Sequence, residues 1–251
     1  SLRQQLEEAG ANVIFDGILD IEGKDYIDTG YTEWGASGLA AVWAENNTRE
    51  SIYEAFRRKE TFATSGSRIK VRFFGGYNLE KILEEGDPIK YAYANASSMG
   101  SDILQNQNQV PEFMVWAIRD LKRAPLDRVQ IIKGWTELSG KPHEKVYDVA
   151  CSEGRKANIK TGLCKDSRAK VNLSNCKISK NFGADELKVV WKDPDFNPNL
   201  KAFYYVRVLE NPTCRWSTWD AIKSGEKPRG DLPSTIQERA WTSPIWYCLL
   251  Y

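Results

Sequence analysis

Apolar residues along this chain follow two different rhythms. Over residues 1–66 they are mixed and recur in part at the three- and four-residue spacing of a helix; from Ser67 onward they alternate with polar positions. The plainest helical stretch is 48–59, where Ile52, Ala55, Phe56 and Lys59 fall on one stripe. Asn47 and Glu50 stand at capping-box spacing before it. Arg57, Arg58 and Lys59 crowd its far end, where the negative pole of the helix dipole favours cations. Upstream, WGASGLAAVWA is rich in small residues, as expected where backbone packs closely on another element.

The alternating part begins with RIKVRFF, which puts Ile69, Val71 and Phe73 on one face and Lys70 and Arg72 on the other. Comparable runs follow at EFMVWAIR, RVQIIKGW, EKVYDVA, ELKVVW, AFYYVRVLE and PIWYCLL. About seven strands with polar turns between them predict an antiparallel sandwich. Short helices are expected near 79–85 and 217–223, and 97–111 reads as a mobile loop. The expected class is therefore mainly β (α+β). A β-sandwich-like domain spans 67–251, preceded by a helical or mixed segment, 1–66, that is not a complete domain.

A length of 251 residues is enough for one large domain, or for one domain with a smaller appendage. The net charge of +1 offers no field for nucleic acid or an anionic membrane surface. No apolar run approaches the ~20 residues of a spanning helix. The opening SLRQQLEEAGANVIF has no basic-then-apolar leader, so any signal peptide is expected to be gone already. Nine Trp suit a sheet core or an aromatic binding face. One His, His143, is too few for the imidazole sets that hold zinc or iron. No metal site and no cofactor is therefore expected within this chain.

Of the five cysteines, Cys151, Cys164, Cys176 and Cys214 lie in a polar stretch with little apolar material to order it. Bridges would order it and would imply an oxidising compartment, so a periplasmic or secreted location is expected. Five buried thiols in a reducing compartment are the competing reading.

The chain has no P-loop, no GxGxxG after a strand, no GxSxG elbow and no HExxH. His143 sits in SGKPHEKVY and reads as a solvated turn residue, since a catalytic base needs partners and shelter. Asp193, Asp195, Asn197 and Asn199 alternate as the oxygen ligands of a calcium loop do. The required Gly and distal Glu are missing, and Pro194 and Pro198 favour an ordinary rigid turn. Trp216 and Trp219, at i and i+3, read first as core and second as a stacking platform. Around the helix-to-strand junction stand Glu45 and Arg49 at the helix start, and the hydroxyls of Thr61, Thr64 and Ser65 after it.

That junction, GLAAVWAENNTRESIYEAFRRKETFATSGSRIKVRFFGGY, resembles the carboxy-terminal region of the bacterial domain-of-unknown-function family numbered 3604. The resemblance continues through DPIKYAYA, LDRVQIIKGW, HEKVYDVACSEGR, VVWKDPDFNP, AFYYVRVLENPTCRWSTWDA and IQERAWTSPIWY. It implies a longer parent similar to the polymerase-and-histidinol-phosphatase superfamily of metal-dependent phosphoesterases, with ligand histidines in a preceding α/β domain. Residues 1–66 then look like the end of that domain. The missing N-terminal α/β domain becomes the implied partner, and a divalent metal belongs to the parent. Glu45, Arg49, Thr64 and Ser65 become candidate substrate-facing residues, with Arg49 able to hold an anionic group through its planar fork. Where the family has MGGDL, this chain has Met99-Gly100-Ser101-Asp102-Ile103.

The resemblance also keeps the first four cysteines together and leaves Cys248 as the odd one. Spacing alone allows three pairings of four cysteines. Locality favours Cys151 with Cys164, a loop for which the chain-entropy model gives roughly 3 kcal/mol. Elimination leaves Cys176 with Cys214, and Cys248 free in the apolar run IWYCLL. Two functions compete: the tail of a hydrolase, and an independent Trp-rich module for a glycan or other extracellular ligand. A torn-off tail should expose an apolar face around residues 34–66, and an independent module should not.

Overall fold

The computed structural model of the protein describes residues 18–21, 24–27, 35–106, 109–179 and 181–248. The chain divides into two compact units, Ser1–Ala36 and Ser37–Tyr251. In the first, β1 (Ile18–Ile21) pairs antiparallel with β2 (Lys24–Ile27), Ile18 lying opposite Ile27.

The second unit opens with β3 (Leu39–Val42), α1 (Arg49–Arg57) and β4 (Thr61–Thr64). Thr48 caps α1: its extended backbone lets the hydroxyl accept the Ser51 N–H at 3.2 Å, one residue later than the Asn47 box predicts. Of the predicted stripe only Ala55 is buried, whereas Phe56 is 52% and the neighbouring Tyr53 59% exposed. Next come β5 (Lys70–Gly76), a 3-10 turn (Ile82–Glu84), α2 (Pro88–Asn95), β6 (Ser97–Ser98), β7 (Asp102–Leu104) and β8 (Glu112–Ile118). Then follow β9 (Leu126–Thr136), β10 (Pro142–Cys151), β11 (Val171–Asn172), β12 (Lys177–Ile178), β13 (Glu186–Lys192) and β14 (Ala202–Glu210). The last elements are β15 (Thr213–Cys214), α3 (Trp216–Lys223), β16 (Thr235–Ile236), β17 (Arg239–Thr242) and β18 (Ile245–Cys248).

Two sheets form a sandwich. The larger, eight-stranded sheet runs β10-β9-β14-β17-β4-β3, with β18 beside β14 and β7 beside β18. The smaller runs β13-β8-β5-β6. Pairing within both is antiparallel except between β7 and β18. Alternation along each strand builds the core: Val71 and Phe73 of β5 and Phe113 and Val115 of β8 meet Val129 and Ile131 of β9 and Tyr204, Val206 and Val208 of β14. The outer face of the small sheet is also covered, because Phe74 and Met114 pack under Leu79, Ile82 and Ala92. Burial on both faces explains why EFMVWAI reads as a nearly unbroken apolar run.

Residues 37–66 belong to this sandwich, so the compact unit starts at Ser37 and not at Ser67. β4 pairs with β17 and with β3, and Phe62 joins the core. Four residues of alternation in β4 are too few to register against the helical rhythm of α1 beside them. The stretch 97–111, expected as a loop, holds β6 and β7, and Met99 is buried. Gly100 has φ +86, and a Cβ there would stand 2.3 Å from the Lys59 carbonyl oxygen.

Cys151 is bonded to Cys164 and Cys176 to Cys214, with Cα–Cα distances of 6.2 and 5.6 Å, and Cys248 is a free thiol. Under the first bridge lies a charged lattice that also orders the polar loop. Arg128 pairs with Asp127 at 2.7 Å and Asp148 at 3.1 Å, Arg155 with Asp127 at 2.6 Å, and the Cys164 N–H donates to Asp148.

The acidic turn after β13 is bound inward. Asp193, fully buried, lies 2.5 Å from the Lys133 ammonium and accepts the Tyr204 hydroxyl at 2.7 Å. Asp195 accepts from Tyr147 and Lys145, both at 2.5 Å. Lys133 thus supplies the positive charge that a calcium ion would bring to such a loop.

Candidate functional site

A cavity of about 470 Å³ opens where β3 ends, lined by Trp43, Ala44, Glu45, Arg58, Glu60, Arg72 and Tyr93. Four local features build it. Lys59, at φ +56, turns the chain from α1 into β4, and the next residue, Glu60, is only 3% exposed. The Trp43 N–H donates to the Glu60 carbonyl at 3.0 Å, and Trp43 Nε1 donates to the Val71 carbonyl at 2.8 Å, which fixes the indole. Arg72 is an outward position of β5, and its guanidinium lies 3.7 Å from the Trp43 ring centre and 5.6 Å from that of Tyr93. Tyr93 comes from α2 and packs edge-on to Phe74 at 5.0 Å.

Hydrogen bonds join these side chains into a relay. Arg72 Nη1 donates to the Tyr93 hydroxyl oxygen at 2.8 Å, and that hydroxyl donates to Glu60 Oε1. Arg58 Nη2 donates to Glu60 Oε2 at 3.4 Å. Burial, aided by the bond to Glu60, pushes the Tyr93 phenol up to about 12, so it stays a donor at neutral pH. Glu60 is thereby satisfied by Tyr93 and Arg58, while Arg72 keeps most of its five donors for a ligand.

The four sequence candidates do not converge. Val42 lies opposite Thr61 and Leu39 opposite Thr64, so Glu45 and Arg49 follow one end of the β3–β4 ribbon and Ser65 follows the other. Glu45 lines the cavity and is exposed; Arg49, in the first turn of α1, is exposed too. Thr64 is buried and accepts the Gly66 N–H, and Ser65 donates to Glu238 and accepts the Arg239 N–H at 2.8 Å. Both hydroxyls are occupied in closing the strand. Sequence reasoning missed Trp43, Arg58, Glu60, Arg72 and Tyr93. One signal was available: Arg72 shares its face of β5 with Phe74, so that face had to be covered by something.

Two further cavities are aromatic. One, about 580 Å³, is lined by Trp135, His143, Phe203 and Trp246 among others. The other, about 490 Å³, includes Phe56, Trp241 and Trp246. In the first, Phe203 lies over Gly134, where a Cβ would meet its ring at 2.3 Å. His143, expected in a solvated turn, is instead the second residue of β10, stacks on Trp135 at 5.2 Å and places Nε2 2.7 Å from Glu137. Trp216 and Trp219, expected as core, are half-buried and 38% exposed respectively. Among the described residues, no group of three His, Cys, Asp or Glu side chains is placed to hold a metal ion, and no helix is long and apolar enough to cross a membrane.

No curated protein and no solved structure matches the chain. The family model described as "Protein of unknown function (DUF3604)" matches residues 11–248, which contain all the strands of the sandwich and all the residues of the cavity. On that match the chain belongs to the DUF3604 family.

Proposed function

We propose that this chain is the carboxy-terminal part of an exported metal-dependent hydrolase, with the metal ligands in an α/β domain that precedes it. Its own work is to seat on that domain and to supply the cavity beside Trp43 as one wall of the active site. The observation that carries the reading is an apolar face on the outer side of β3, β4 and β17. Phe56, 52% exposed, lines one cavity there with Ala40, Ala63, Trp241 and the 47% exposed Trp246, and Tyr53, one turn earlier on α1, is 59% exposed. Ala40, Ala63 and Trp241 stand in register across the three strands.

A sheet face is stable only when another layer covers it, and an apolar patch of this kind on a secreted domain marks a docking surface. β3 and α1, the first elements of the second unit, contribute to this face, so a domain preceding them in the chain would be tethered near it at high effective concentration. The two disulfides support the exported location.

The test is hydrophobic dye binding by this chain, compared with the double variant Tyr53→Glu, Phe56→Glu. The chain is expected to bind dye strongly and the variant weakly, with the thermal midpoint of the variant unchanged or higher. A monomeric chain that binds no dye refutes the reading. An independent glycan-binding module is the second reading, supported by the aromatic cavity of Trp135, Phe203 and Trp246. Retention of the chain on an immobilised glycan, lost in Trp246→Ala, would favour it.

A further inference from the structure

We propose that the cavity beside Trp43 binds a singly charged oxyanion, a carboxylate or a sulfate ester, on the Arg72 guanidinium, with Arg58 and the Tyr93 relay holding that guanidinium in place. This deepens the proposed function, resting on it for the claim that the anion belongs to a substrate; the binding itself is a property of this chain.

The charges around the cavity decide the class of ligand. Arg58, Arg72, Glu45 and Glu60 line it, two of each sign. Glu60 is buried and receives hydrogen bonds from Tyr93 and Arg58, so Arg58 and Glu60 form a compensated pair. Glu45 is exposed at the rim, where water and salt screen it. Among the described residues no carboxylate pairs with Arg72, whose contacts are the Trp43 and Tyr93 rings and the Tyr93 hydroxyl. One uncompensated guanidinium therefore faces the cavity.

The guanidinium lies 3.7 Å from the Trp43 ring centre, and its planar fork can receive two oxygens of one group. A monoanion neutralises that charge. A dianion would leave a net negative charge a short distance from Glu60. Trp43, Ala44 and Tyr93 supply an apolar wall for the body that carries the anion. The cavity, at about 470 Å³, is of small-molecule size.

The experiment is calorimetric titration of the full chain at pH 8 with benzoate, phenyl sulfate and phenyl phosphate, the last being a dianion at that pH. Benzoate or phenyl sulfate is expected to bind with a Kd of about 1 mM. Whichever of the two binds more tightly names the source of the anion. Arg72→Gln should weaken binding about tenfold or more, the loss of a charge-assisted pair. Arg72→Lys should recover only part, because an ammonium lacks the fork. Tyr93→Phe, which leaves the ring and its packing in place, should weaken binding several-fold and serves as the reading if Arg72→Gln does not fold.

Binding unchanged in Arg72→Gln, phenyl phosphate binding as tightly as the monoanions, or no heat from any probe at about 10 mM would each overturn the proposal. None of these outcomes bears on the docking face, since dye binding at Tyr53 and Phe56 does not involve Arg72. Loss of the face with retention of probe binding would sink the hydrolase reading and leave the oxyanion site standing.

Discussion

Replacing Lys133 by Met tests how the sandwich holds a buried charge. The Lys133 side chain is 5% exposed and its partner Asp193 is fully buried, with nitrogen and oxygen 2.5 Å apart. The ammonium also donates to the Asp195 carbonyl at 2.7 Å. Met fills nearly the same volume, so the change removes the charge and leaves the packing around Trp135 and Tyr204 in place. Removing one member of a buried pair typically costs about 3–5 kcal/mol, because the other is left buried and uncompensated. Asp193 would keep the Tyr204 hydroxyl at 2.7 Å and the Asp195 N–H at 2.9 Å, which argues for the lower end, about 3 kcal/mol. For a domain of this size that lowers the midpoint by about 6–12 °C. Urea titration and thermal melts should agree on the loss, with the m-value unchanged. The double variant Lys133→Met, Asp193→Asn should recover much of it, since no bare carboxylate remains. A single variant within about 1 kcal/mol of wild type, or a double variant worse than the sum of the singles, would refute the reasoning.

Three other outcomes follow from the structure. Glu210 is fully buried, neither carboxylate oxygen has a partner of hydrogen-bond geometry, and burial pushes it up to about 8 even with the Ser67 hydroxyl alongside. The folded chain then holds a proton that the unfolded chain releases near 4.5, so Glu210 favours folding below that pH and its contribution is lost as pH rises toward 8. Glu210→Gln should therefore be more stable than wild type at pH 8, with the gap closing by pH 4.5 in parallel urea titrations. Reduction of Cys151–Cys164 should cost roughly 3 kcal/mol. Peptide mapping without reductant should recover that pair and Cys176–Cys214, and Cys248, its thiol pushed up by burial, should alkylate slowly until the chain unfolds. Gly100→Ala forces a Cβ to within 2.3 Å of the Lys59 carbonyl at φ +86, and should lower the midpoint more than Gly86→Ala, which meets nothing within 4 Å.

The long strands were legible because one physical cause, a buried and a solvated face, writes a period of two into eight or more residues. AFYYVRVLE shows it best, with burial alternating from Ala202 to Glu210. Where both faces are covered the period fades, and β8, though read with the alternating runs, is buried on both sides over most of its length. The short strands β3, β4, β7 and β17 were not legible, since three or four residues carry too little pattern and their pairing is decided by distant partners. The cavity was illegible for a related reason. Trp43, Glu60, Arg72 and Tyr93 meet only through tertiary packing of β3, the α1–β4 turn, β5 and α2, and no local spacing joins them. Glu45 was within reach because it neighbours Trp43, whereas Thr64 closes the other end of the ribbon and Ser65 follows it.

The segment 37–66 explains why rhythm and compactness disagree about where the second unit starts. Its inward side chains, Ala41 and Phe62, pack into the sandwich, and Trp43 packs against the same core. Its outward ones, Ala40, Phe56 and Ala63, are exposed, as is Tyr53 on α1. A segment that served one core would show one apolar side; this one carries apolar residues on both, which blurs its period and sets it apart from the solvated-face strands that follow. Two apolar sides are what a shared wall between layers requires. The cavity opens where that wall ends, at Trp43 to Glu45, and Arg72 reaches it from the outward side of β5. The proposed docking rests on Tyr53 and Phe56 and the proposed anion binding on Arg72, so the Tyr53 and Phe56 variant and the Arg72 variant are expected to separate the two.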